Sequence, residues 1–78
     1  MRVFVDFNNL DPEGCLRLNL VGTLQDLEAQ RLVLEAGMLL TGSDGDLNAR
    51  IIVLHPGKEG VWRGQIVEGP FEDGFLSE

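Results

Sequence analysis

The residues able to do chemistry are few, and most of them lie in turns. Asp6, Asn8, Asn9 and Asp11 crowd the end of the stretch VFVDFNNLD. A hard cation needs several oxygens converging from defined spacings. This spacing does not match a calcium loop, and Asn, Asp, Pro and Gly are also the residues with which a chain leaves a strand. The crowd reads as the end of a strand. Asp44, Asp46 and Asn48 in DGDLN come closer, standing at the first, third and fifth positions of a calcium-binding loop. Ala49 occupies the place of the required glycine and His55 that of the required glutamate. The flanks read as strands where the motif needs helices. A hairpin turn is the expectation, with a weak cation site as the alternative.

Nucleophilic chemistry has little to work with. Cys15 and His55 are the sole residues of their kinds, and no third group stands at a spacing that would complete a catalytic set. A structural zinc site wants four Cys or His ligands. GKEG around Lys58 lacks the pattern of a phosphate-binding loop, and neither Ser43 nor Ser77 sits in a nucleophile-elbow context. No enzyme, cofactor or metal is expected.

The candidates for partner binding are aromatic: Trp62, Phe71 and Phe75. Trp62 alternates with Gly64 and Ile66, which favours a core position, although an exposed Trp on a small barrel is a frequent binding hot spot. Proline cannot donate to a ladder, so Pro70 is expected to end the last strand. This divides the chain into a β-barrel domain, 1–70, and an acidic-aromatic tail, 71–78. A tail with Phe71 and Phe75 is too apolar to read as disordered. It reads as a strap over one open barrel end or as an element that enters a partner.

Charge narrows the partners further. Lys and Arg number 6 against 13 Asp and Glu, a net of −7, and the cations are dispersed. Nucleic acid is held by clustered cations that displace counterions, so none is expected to bind. The one loophole is an outward row of Arg17, Arg63 and Gln65. No leader pattern and no apolar run near the ~20 residues of a membrane span are visible. With a single cysteine, the expectation is a cytoplasmic protein with no membrane contact.

These residues need a scaffold to place them, and 78 residues allow one core. Val3, Val5 and Phe7 alternate with polar neighbours, DPEG supplies a type I turn, and Leu16, Leu18 and Leu20 alternate again. A hairpin is expected over this first part. TLQDLEAQR changes the period: Thr23 is a good N-cap, Asp26 stands in the capping-box position, and Leu24 and Leu27 share a face. A short helix over an open end of the sheet follows. Met38–Thr41, Arg50–Leu54 and Val61–Val67 are strand candidates, with Ile51 to Leu54 apolar on both faces and therefore central. Gly64 suits a bulge or bend. The fold class is mainly β: a five-stranded bent antiparallel sheet or barrel with one short helix, SH3-like first and OB-like second. The expected core is Val3, Val5, Phe7, Leu16, Leu18, Leu20, Leu27, Leu40, Ile51, Val53, Trp62 and Ile66.

The segments VFVDFNN, RLNLVGTLQDLEAQ, LEAGM and the late VW together resemble a group of short uncharacterised bacterial proteins beginning V-x-V-D-F-N-N. LEAGMLL also resembles the segment that opens the barrel of SH3-like domains. The resemblance implies a free-standing bacterial protein and carries no activity or functional residue with it. The functional expectation is a non-catalytic protein-interaction module, whose partner is another protein or a second copy. The alternatives are a ligand- or metal-binding domain using the acidic turns and, less favoured, a nucleic-acid-binding barrel.

Overall fold

In the computed structural model, residues 1–72 are described. They form strands β1 (Arg2–Phe4) and β2 (Leu16–Arg17), helix α1 (Val21–Ala29), and strands β3 (Leu39–Ser43), β4 (Leu47–Leu54) and β5 (Arg63–Glu72). The strands make one mixed sheet in the order β1-β3-β4-β5-β2, curled into a half-barrel. A mainly β fold with five strands and one short helix is therefore what the chain adopts.

The pairing departs from the expected hairpin. β1 runs parallel to β3, Val3 opposite Gly42, and β2 runs antiparallel to β5, Leu16 opposite Gly64. The first two strands thus form opposite edges of the sheet. The DPEG turn does close a hairpin, but a very small one. Gly14 N–H donates to Asp11 O, Asp11 N–H to Cys15 O and Arg17 N–H to Asn9 O, around the single bridge Leu10–Leu16. The turn chemistry operates, while the choice of long-range partner belongs to the core: Val3, Val5, Leu16 and Leu18 are all buried in one cluster with Leu40, Ile51 and Val53.

β4 is the middle strand, as its apolar run predicts. Its burial nevertheless alternates: Ile51 and Val53 are buried, Ile52 and Leu54 only half so. One face packs on the core and the other is partly open. Gly64 does not form a bulge. It sits where a side chain has no room, since a Cβ there would lie 2.9 Å from Ile51 Cδ1 and 3.5 Å from Leu18 Cδ2. The register slips further along β5: Ile51 faces Ile66, Arg50 faces Glu68 and Asn48 faces Phe71. An extra β5 residue is therefore accommodated at Val67 and another around Gly69 and Pro70. Gly69 has φ of 96°, a conformation that suits glycine at a bulge. Pro70 consequently lies inside β5 instead of ending it, because the bulge removes the need for its missing donor. Phe71 belongs to the strand, and Phe75 and the rest of the expected strap lie outside the described residues.

Helix α1 begins earlier than Thr23. Leu20 is its N-cap and no side chain caps it. Thr23 and Asp26 face the sheet edge: Thr23 Oγ1 donates to Phe4 O, and Phe4 N–H donates to Asp26 Oδ2 at 2.8 Å. Gln30 Nε2 donates to Arg2 O at 2.7 Å. Positions three and four apart on a helix share a face, and here that face satisfies the outer edge of β1, which a parallel pair leaves exposed. The helix is thus set along an edge, and does not cover an open end. Leu27 is buried, but Leu24 is 52% exposed, so the expected Leu24–Leu27 apolar face does not exist. At its C-terminus, Arg31 N–H donates to Glu28 O and Leu32 N–H to Leu27 O, the paired bonds of a Schellman ending.

Of the expected core, Val3, Val5, Leu16, Leu18, Leu27, Leu40, Ile51 and Val53 are buried. Phe7, Trp62 and Ile66 are half-buried against this cluster, and Leu20 is half-buried at the helix start. Ala49, Cys15 and the polar Thr23, Thr41, Ser43 and Asn48 are buried as well.

Candidate functional site

Two features stand out. The first is a cleft of about 320 Å³ lined by Asp11, Pro12, Glu13, Gly57, Lys58, Glu59 and Arg63. It forms where the DPEG turn meets the HPGKEG loop, beside the β2–β5 pairing of Arg17 with Arg63. Asp11 is its anchor. The carboxylate Oδ1 accepts the N–H groups of Glu13 and Cys15, each at 2.9 Å. The bond from Cys15, together with that from Glu13 and the nearby positive Arg63 and Arg17, holds Asp11 below the usual carboxylate range despite partial desolvation.

Both arginines beside the cleft are committed to partners. Arg17 grips Glu59 with two parallel bonds, Nε to Oε1 at 2.8 Å and Nη2 to Oε2 at 2.9 Å, and its Nη1 donates to Asn9 Oδ1 at 2.8 Å. The bidentate bond lowers the Glu59 pKa and raises that of Arg17. Arg63 is the more enclosed, its side chain 17% exposed. Its Nε donates to His55 O at 3.0 Å and its Nη1 to Glu13 Oε1 at 3.1 Å, with Asp11 Oδ2 3.9 Å away. The outward row of Arg17 and Arg63 therefore exists, but carboxylates already hold both guanidinium groups.

The second feature is the outer edge of β5. β2 pairs with Arg63 and Gly64 alone. From Gln65 to Glu72 no strand lies on that side among the described residues. Val67 and Phe71, both on this stretch, are 54% and 39% exposed.

The aromatic candidates are thus split. Phe71 lies on the open edge. Trp62 is half-buried against the core, its ring 5.9 Å from that of His55, and its carbonyl accepts Leu18 N–H. Phe75 is outside the described residues. Among the acidic turns, Asp6 Oδ1 accepts Asn8 N–H, and Asp44 Oδ1 accepts the N–H groups of Asp46 and Leu47 at 2.9 and 2.7 Å. Those bonds also keep Asp44 below its usual pKa. Asn48 is fully buried on β4 opposite Ser43, whereas Asp44 and Asp46 are exposed. Among the described residues, no group of three or more His, Cys, Asp or Glu is placed to hold a metal ion, and no helix is long and apolar enough to cross a membrane.

Sequence reasoning missed the cleft. Its walls come from two loops more than forty residues apart. No local pattern marks it, and the fit appears only in three dimensions: Gly57 sits where a Cβ would lie 3.2 Å from Arg63 Nε, so the loop is moulded on the arginine. No family model matches the chain, and neither curated proteins nor solved structures give a significant match.

Proposed function

We propose that this chain is a non-catalytic interaction module that takes an extended segment of a partner protein alongside β5. The observation that carries it is the open β5 edge: a long strand continues past a two-residue neighbour. Open edges invite strand addition, in which main-chain bonds give affinity and alternate side chains give specificity. The edge is also guarded. Its two register slips, one at Val67 and one around Gly69, together with Pro70, interrupt the regular ladder beyond Ile66 and limit how far an added strand can run. Glu68 and Glu72, on a chain of net charge −7, favour a segment that alternates apolar residues with Lys or Arg.

A catalytic role has less support. Cys15 is buried, and desolvation together with the neighbouring Asp11 raises its thiol pKa, the reverse of an activated nucleophile. Nucleic-acid binding is disfavoured by the committed state of Arg17 and Arg63. The SH3-like reading of the barrel enters as fold analogy, which assigns no function by itself.

Titrating isotope-labelled protein with extended peptides of alternating Val and Lys tests the proposal. Amide shifts should concentrate at Gln65–Glu72 and vanish in Val67→Asp. Peptides with Glu in place of Lys should bind at least about tenfold more weakly. Shifts centred elsewhere, or unaffected by Val67→Asp, would overturn the edge as the binding surface.

A further inference from the structure

We propose that the cleft between the DPEG turn and the HPGKEG loop binds a small zwitterion of the free α-amino-acid class. The inference is independent of the β5 edge. It starts from how Arg63 is held. Nε is occupied by His55 O and Nη1 by Glu13 Oε1, while Nη2 has no acceptor among the described residues and is not sealed from solvent. A guanidinium fixed along two of its edges has already lost its rotamer freedom, so an incoming acceptor meets a donor in place. The loop that fixes it is built closely around it, because Gly57 leaves room for the Arg63 side chain where any Cβ would crowd Nε.

The charges select the ligand. Asp11, Glu13 and Glu59 face the cleft together with Lys58 and Arg63, with Arg17 bound behind Glu59. A plain anion would meet three carboxylates, and a plain cation would meet Lys58 and Arg63. A ligand carrying both charges close together meets neither penalty. Its carboxylate would take Arg63 Nη2 and the Lys58 ammonium, and its ammonium the exposed Glu13 carboxylate. A volume of about 320 Å³ stands at the small end of ligand pockets and has room for an amino acid. No covalent step is involved.

The experiment is an amide and Arg Nε chemical-shift titration of the full chain with glycine, serine and glutamine singly, against acetate and methylammonium at matched ionic strength. Saturable shifts at Glu13, Gly57 to Glu59 and Arg63 Nε are expected by about 10 mM amino acid. Acetate and methylammonium should each bind at least about tenfold more weakly, since acetate forfeits the contact to Glu13 and methylammonium those to Arg63 and Lys58. Lys58→Ala and Glu13→Gln alter exposed side chains and should each weaken binding about tenfold with the melting curve retained. Equal binding of acetate alone or methylammonium alone would overturn the zwitterion assignment. Absence of saturable shifts, or unchanged binding in both folded variants, would overturn the site.

Discussion

Asp26 accepts the main-chain N–H of Phe4 at 2.8 Å, across 22 residues of sequence. The bond replaces what a neighbouring strand would give the edge of β1, and Thr23 and Gln30 complete it. A carboxylate in the position of a capping acid thus serves the sheet, not its own helix. Asp26→Ala should destabilise the chain by about 1.5–3 kcal/mol, the range for a lost hydrogen bond to a charged group. In a domain of this size each kcal/mol lowers Tm by roughly 4–8 °C. A melting curve that does not move would mean that water replaces the carboxylate at no cost.

Leu18 is 2% exposed and packs beside Gly64. Leu18→Ala should cost about 2–5 kcal/mol, against a total of ~3–5 kcal/mol for a core of this size. Circular dichroism should find the variant largely unfolded at room temperature. A folded variant melting as the parent does would place Leu18 outside the core.

Gly64 and Ile51 should show coupling. Gly64→Ala puts a methyl group 2.9 Å from Ile51 Cδ1, and overpacking of this kind costs about 1–3 kcal/mol. Ile51→Val removes that δ-methyl, so the double variant should be more stable than the sum of the single losses predicts. Strict additivity in denaturant melts would show that the strain is relieved elsewhere.

Arg31 ends α1 with φ of 55°, a conformation that costs an L-residue about 1–2 kcal/mol relative to glycine. Arg31→Gly should raise stability by about 0.5–1 kcal/mol once the extra freedom of glycine in the unfolded chain is subtracted. A loss of stability would reveal a contribution from the arginine side chain.

Asp11 links the turn to pH. Its folded pKa is depressed, chiefly by the Cys15 N–H bond, so its stabilisation is complete above the unfolded value of about 3.9. It is lost as pH falls through the lower folded value. Glu59, depressed by Arg17, adds a loss in the same direction. Asp11→Asn should therefore flatten the fall in stability below about pH 4, read as denaturant midpoints at successive pH values. An unchanged acid limb would assign the effect to other carboxylates.

Local chemistry was legible in the sequence. Period-2 alternation marked the buried faces at Val3 and Val5, and at Leu16 and Leu18. DPEG announced its turn through Asp11 and Gly14, and the unbroken run Ile51 to Leu54 announced a central strand. These depend on a few neighbouring residues, whose backbone preferences and burial needs act over one turn or one strand. Tertiary structure alone decided the partners. Alternation says which face of a strand is buried but not which strand lies beside it, so β1 pairs with β3 and not with the segment following DPEG. Thr23 and Asp26 carry the pattern of a helix cap, yet an unpaired strand edge nearby competes for the same oxygens, and it prevails. Pro70 signals a stop only while the ladder needs its N–H, and the register slip around Gly69 removes that need. The cleft around Arg63 is assembled from loops that meet only when β2 docks against β5, so no stretch of the chain announces it.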